Sequence, residues 1–429
     1  MPYTLIHNGV MREFDFYAPP GWEHWVGEAW AKGRRGLPLI VALHGGGEDP
    51  LVFQKQWFFP QVWNLGLDTS GNPSDPVRPL DPRFLENQFF VLYPYGQGWM
   101  TKSLYELAYG LAPLPASLDT QTLRAFDPGF AGSGPLVDDV DFIKAARDAM
   151  DEKLRTALGQ AASRLPNDFP LQTVSAKLPT GEVVSSTISS ISLFDPSRRF
   201  LFGYSNGAML GYRLVREMPN HWAALWAMSG TCGGIPHYRV SAENHRVVNL
   251  PEDGTFAVSL FAHHGEADVT VPPGDMSAED FAYQTPIGPD LSKPLDPSKF
   301  QDYLGYLTYA FAGFPNALDY SPGYLPLAQA SRGFRAYNSL KGQDSQNRQR
   351  TDLNGGSTAH SLSFPDSENP DDFNPMVVIY RDPTMDHTNF NDKDKIRYFF
   401  EKDVWRFFSR HSRTLLLQPS SHQQNPNIP

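Results

Sequence analysis

The stretch Arg199–Met209, R-F-L-F-G-Y-S-N-G-A-M, constrains the fold more than any other part of the chain. Its apolar opening suits a buried strand. A turn follows through Gly203, Tyr204, Ser205, Asn206 and Gly207, and A-M-L-G-Y-R-L-V-R-E-M then places apolar residues at helical spacing. Strand, G-x-S-x-G and helix in immediate succession imply a sharp turn, with the serine in strained backbone geometry and its hydroxyl exposed. Glycine is needed at 203 and 207 because a side chain there would strike the neighbouring strand or helix. Ser205 is therefore a candidate nucleophile. The blander alternative is a serine that only caps the following helix.

Other apolar runs supply the rest of a mostly parallel sheet. Leu37–Leu43 (L-P-L-I-V-A-L) reads as a fully buried strand and runs directly into His44-Gly45-Gly46-Gly47. Glycines just past a core strand leave backbone N–H groups free to face a cleft, where they can stabilise the charge on a tetrahedral intermediate. The N–H groups of Gly46 and Asn206 are the candidate pair, against the alternative of a plain glycine turn. Asn87–Tyr93 is another core strand and ends in Y-P-Y-G-Q-G-W. Strand ends on the carboxyl side of a parallel sheet face the ligand, so Tyr95 and Trp99 are candidate pocket walls or, equally, loop aromatics packed on the scaffold. Tyr204, beside the serine, is a third candidate substrate contact.

Ala223–Ser229, Phe256–Ala262 and Met376–Tyr380 read as further core strands. The segment from Val137 has helical spacing, with Asp138, Asp139 and Asp141 in its first turn, where acidic residues suit the helix dipole. Gln172–Ile191 alternates around Pro179-Thr180-Gly181 as a hairpin insertion. Asp268 follows the strand 256–262 and His387 follows 376–380. His263, His264, Glu266 and Asp268 mimic a metal-ligand set, but successive side chains at a strand end point to opposite faces. Asp268 fits better as the buried acid that orients a catalytic histidine, and His387 sits in a strand-to-helix loop suited to a general base. The chain order Ser205, Asp268, His387 is that of α/β-hydrolases. Such chemistry needs no metal or cofactor.

The fold class expected is thus α/β: an α/β-hydrolase fold, a mostly parallel sheet flanked by helices, with large loop or lid insertions. The 429 residues read as one such domain, with a lid or substrate-binding insertion at 277–375 and a disordered tail at 418–429. The insertion is rich in Tyr, Pro, Gly and polar residues without sustained periodicity, and a region that long inside a compact fold is usually functional or disordered. A net charge of −11 argues against a nucleic-acid partner. A single cysteine, Cys232, excludes an internal disulfide. No apolar run approaches the roughly 20 residues of a membrane helix. The opening residues lack the pattern of a signal peptide, which leaves a cytoplasmic protein or a secreted one with its signal removed.

L-H-G-G-G, G-Y-S-N-G-A-M, H-G-E-A-D-V-T-V-P, the late D-H-T and V-D-D-V-D-F-I together resemble the polyhydroxybutyrate depolymerase and feruloyl esterase group of α/β-hydrolases. The resemblance covers the scaffold and not the insertions. Ala208 and Asp386 stand where that group usually has glycine, and Phe390 matches its aromatic after the histidine. The resemblance implies a serine carboxylic-ester hydrolase acting on a polyester or a bulky or aromatic acyl ester, with Ser205 as nucleophile, Asp268 as acid and His387 as base. Its partner would be a small or polymeric ester. The residues alone leave open a serine peptidase or acyltransferase with the same triad, and a non-catalytic binding protein on the same fold. They leave the oligomeric state open.

Overall fold

The chain begins with a hairpin. Asn8 and Gly9 sit at φ 49° and 79°, the positive values that a two-residue turn between twisted strands requires. They join β1 (Tyr3–His7) to β2 (Val10–Tyr17) in antiparallel register. The computed structural model describes residues 2–56, 83, 85–97, 126, 139–177, 180, 183–230, 239–240, 247–248, 258–268, 271, 346–351, 358–364, 377–382, 385–387 and 404–412. After the hairpin come α1 (Trp22–Ala31), β3 (Leu37–Leu43), α2 (Pro50–Gln56), β4 (Phe90–Pro94) and α3 (Asp139–Gln160). Then follow β5 (Leu171–Lys177), β6 (Val183–Ser189), β7 (Phe194–Tyr204), α4 (Asn206–Glu217) and β8 (Ala224–Met228). The short pair β9 (Arg239–Val240) and β10 (Val247–Val248) precedes β11 (Ser259–Gly265), β12 (Gln346–Thr351), β13 (Thr358–Phe364), β14 (Val377–Asp382) and α5 (Trp405–Arg410).

Among the described residues, the main sheet has ten strands in the order β1-β2-β4-β3-β7-β8-β11-β14-β13-β12. The run β4-β3-β7-β8-β11-β14 is parallel throughout. Antiparallel strands close it on both sides. This is the expected α/β-hydrolase fold. The predicted hairpin is β5–β6, a separate two-stranded sheet.

Alternation along the central strands builds two cores, one on each face of the sheet. In β3, Leu37, Leu39, Val41 and Leu43 face one core while Ile40 and Ala42 face the other. The first core takes residues of α1, α3 and α4, including Val26, Ile143 and Leu210. The second takes Phe53 of α2 and Trp405, Phe407 and Phe408 around α5. Its aromatics stack: Phe200 lies on Phe408 at 4.6 Å and 6°. Covering both faces explains why these strands read as continuous apolar runs.

Two sequence expectations need amendment. Asp139, read as an acid suited to the dipole of α3, is fully buried and paired with the buried Arg12 of β2, whose guanidinium also lies 3.9 Å over the Phe142 ring. Helix-terminal electrostatics therefore account for only part of its role. Within 277–375, the described residues 346–351 and 358–364 form a hairpin that pairs with β14 and extends the main sheet. The rest of that segment, and the tail 418–429, lie outside the described residues. Among the described residues, no helix is long and apolar enough to cross a membrane.

Candidate active site

Ser205 occupies a strained turn. It stands between β7 and α4 with φ 51° and ψ −117°, a conformation that non-glycine residues adopt only when the surroundings enforce it. Its N–H donates to Met228 O at 2.9 Å, and its carbonyl accepts the Met209 N–H at 3.1 Å. The flanking glycines leave no room for a side chain: a Cβ on Gly203 would lie 2.3 Å from Gly207 O, and one on Gly207 would lie 2.2 Å from Leu43 O. The strand and helix can meet this closely only without side chains there, as the motif implied.

Strand register carries the other groups to the same edge. Gly203 pairs with Leu43, Tyr204 with Met228, Met228 with His263, and His263 with Tyr380. The residues that follow β3, β7, β11 and β14 therefore emerge side by side. Backbone bonds then join the loops after β11 and β14: Glu266 N–H donates to Asp382 O at 2.9 Å and Ala267 N–H to Met385 O at 3.2 Å.

These loops bring Ser205, Asp268 and His387 into one hydrogen-bonded chain. His387 Nδ1 is 2.8 Å from Asp268 Oδ2, and its Nε2 is 3.0 Å from Ser205 Oγ. A carboxylate only accepts, so the proton belongs on Nδ1 and Nε2 is left to accept from the serine hydroxyl. Ser205 and Asp268 are buried, and the His387 side chain is 11% exposed. Asp268 Oδ1 accepts the Val271 N–H at 2.8 Å. His264 donates from Nε2 to Val271 O at 2.7 Å and lies 3.3 Å from Asp268 Oδ2. Burial works to raise the Asp268 pKa, but the hydrogen bonds and charges of His264 and His387 outweigh it and hold the carboxyl below its ordinary range.

The glycine loop after β3 is fixed from behind. The buried His44 donates from Nδ1 to Gly45 O at 2.8 Å and accepts the Gly96 N–H on Nε2 at 2.9 Å. A planar trans peptide sets its C=O and N–H in opposite directions. With Gly45 O turned to His44, the half-buried Gly46 presents its N–H away from that imidazole. Glu48 Oε2 accepts the Gly45 N–H at 2.9 Å. Burial, opposed by that hydrogen bond and aided by the charge of Asp49, pushes the Glu48 carboxyl up to about 7.

The remaining sequence-selected residues fall as follows. Asn206 is the first residue of α4, so its N–H is among those a helix start leaves without an intrahelical acceptor. Its side chain exchanges hydrogen bonds with the Phe126 backbone at 2.8 and 3.2 Å. Tyr204 donates its hydroxyl to His387 O. Tyr95 is buried, donates its hydroxyl to Asp15 and its N–H to Glu13 O, so these contacts are with β2. Trp99 lies outside the described residues. His263 packs edge-on against Tyr380 at 4.7 Å while His264 turns to Asp268, on opposite faces. Among the described residues, no group of His, Cys, Asp and Glu could hold a metal ion. Sequence reasoning missed His44, Glu48 and the service of His264 to Asp268. The signal for His44 was its place between a core strand and the glycines; Glu48 and His264 carried none beyond proximity in sequence.

No family model matches the chain, and no curated protein matches it. Solved structures do. An acetyl xylan esterase from Aspergillus awamori is 10% identical, with 95% of this chain and 99% of that one covered and a TM-score of 0.40. A siderophore hydrolase from Aspergillus nidulans is 12% identical over 94% and 96%, with a TM-score of 0.36. A thermostable esterase is 18% identical over 63% of this chain, which spans only 48% of that protein's length, with a TM-score of 0.28. What the site does has to be read from its own geometry.

Proposed function

We propose that the chain is a serine carboxylic-ester hydrolase. The observation that carries this reading is the chain Asp268–His387–Ser205, closed at 2.8 and 3.0 Å between residues 119 and 182 positions apart in sequence. In the mechanism, His387 Nε2 takes the Ser205 proton as Oγ attacks the ester carbonyl. Asp268 keeps the imidazole in the Nδ1–H tautomer and stabilises the imidazolium that forms. The N–H groups of Asn206 and Gly46 receive the developing oxyanion. His387 then returns the proton to the leaving alcohol, and water, activated by the same base, frees the acid and restores the serine. The aromatic-rich segment 277–375 follows the acid strand in sequence, and we assign it to the substrate side, for a polyester or a bulky or aromatic acyl ester.

The test is hydrolysis of p-nitrophenyl butyrate by the wild type and by Ser205→Ala, each checked for folding by circular dichroism. A fall on the order of 10⁴-fold or more with the fold retained is expected. A folded wild type that neither hydrolyses this ester nor reacts with a fluorophosphonate at Ser205 would overturn the reading. Feruloyl and polyester substrates then separate the two acyl classes.

A further inference from the structure

Tyr204 does more than precede the serine. Its backbone is fixed in the sheet, where it pairs with Met228 of β8. Its hydroxyl donates to the carbonyl of His387, 183 positions away in sequence. Its ring lies 5.5 Å from the imidazole, tilted by 33°. The same ring covers Gly45: a Cβ there would meet Tyr204 Cδ1 at 3.0 Å and Cε1 at 3.2 Å. One side chain rooted in the sheet thus touches both the loop that carries the base and the loop that carries an oxyanion donor.

Two further ties on the base loop precede His387. Met385 is bonded through its carbonyl to Ala267 and through its N–H to Asp382 at 3.4 Å. On His387 itself, Asp268 holds the ring. A ring held at one nitrogen still rocks if its Cα moves. An anchor on the residue's own carbonyl fixes the Cα and the direction of Nε2. We propose that Tyr204 is a positioning residue: its hydroxyl locks the His387 backbone so that Nε2 stays on Ser205 Oγ, and its ring sets the spacing between the base loop and the Gly45 turn. This rests on the esterase reading for its kinetic consequence, but not for its structural one.

The experiment is Tyr204→Phe, which keeps the ring on Gly45 and deletes the donor. A misplacement of about 1 Å costs on the order of 100-fold in rate, so kcat should fall roughly 10- to 100-fold with KM within about twofold. Fluorophosphonate labelling of Ser205 should slow by a similar factor. Proton NMR supplies a readout independent of turnover: the strongly downfield Nδ1–H resonance of His387 should broaden or vanish in Tyr204→Phe with circular dichroism unchanged. A kcat within about twofold of wild type, or an unaltered resonance, overturns the proposal. If the wild type proves inert, the esterase reading falls, and the resonance still decides the positioning role. Should the phenylalanine variant fail to fold, 3-fluorotyrosine placed at 204 keeps the ring and alters only donor strength. It must shift the resonance, and an unmoved signal overturns the proposal.

Discussion

Replacing Asp268 by asparagine removes a charge and turns one acceptor oxygen into a donor. The present carboxylate serves three N–H groups: Oδ2 faces His387 Nδ1 at 2.8 Å and His264 Nε2 at 3.3 Å, while Oδ1 accepts Val271 N–H at 2.8 Å. An amide has two ways to sit there. With its oxygen at the Oδ2 position, His387 keeps its tautomer, but the amide NH₂ confronts the buried Val271 N–H, at a cost of about 1–3 kcal/mol. With NH₂ at the Oδ2 position, His387 is driven to the Nε2–H tautomer and can no longer accept the Ser205 proton. That tautomer error is worth about 10⁴ in kcat, or roughly 5.5 kcal/mol at 1.36 kcal/mol per decade. Even the first arrangement leaves the imidazolium without a charged partner, which at about 1.5–3 kcal/mol corresponds to roughly 10- to 150-fold. The expected loss therefore lies between about 10 and 10⁴, in kcat rather than KM, measured by steady-state hydrolysis of a p-nitrophenyl ester. A loss below about tenfold in a folded variant would refute the assignment of Asp268 as the orienting acid. Acid titration adds a check with a defined sign. Because the folded-state pKa is depressed, ionised Asp268 stabilises the fold fully above its ordinary value of 3.8, and the contribution is lost progressively as pH falls from there through the depressed folded-state value. Asp268→Asn should flatten that part of the acid-unfolding curve.

Glu48 carries the opposite sign. Its folded pKa near 7 exceeds its ordinary 4.5, so stability should decline as pH rises from 4.5 to 7 and then level off; Glu48→Gln should remove that decline in thermal melts across the window. Gly207→Ala sets a Cβ 2.2 Å from Leu43 O and 2.6 Å from His44 O. Both neighbours are backbone, so the variant should lose stability and at least 10²-fold in kcat, read by melting and ester hydrolysis together. Arg12→Met leaves the buried Asp139 without its cation and should cost about 3–5 kcal/mol, whereas the double change with Asp139→Leu should recover most of that in denaturant titrations.

The sheet and the three chain-carrying residues were legible because their signals are local. A buried parallel strand is an apolar run, the serine turn needs glycine at both ends, and Asp268 and His387 each follow such a run. The first hairpin carries a local signal only at its turn, the Asn8-Gly9 pair, because Tyr3–His7 is a short, half-exposed strand. What the sequence hides is pairing between distant segments. Arg12 and Asp139 are 127 positions apart, His44 and Gly96 are 52, and Tyr204 and His387 are 183. Each is an ordinary residue in its own neighbourhood and acquires a role only where register brings the other to it. The hairpin of β12 and β13 was hidden differently: β12 is wholly polar and so has no strand periodicity, and only β13 carries a short alternation.

That hairpin changes where this molecule is open to its own kind. A sheet ending at β14 would present V-V-I-Y-R-D, apolar over its first four residues, with unpaired backbone groups. Among the described residues, the two added strands move that margin outward to Q-N-R-Q-R-T, which contains two arginines and no aliphatic or aromatic residue. Unpaired strand edges recruit other chains, and charge discourages it. The strand whose loop carries His387 is thereby removed from the set of surfaces on which fibrils could seed. A chain cut back to lose 346–364 should cloud in solution before it loses its secondary structure.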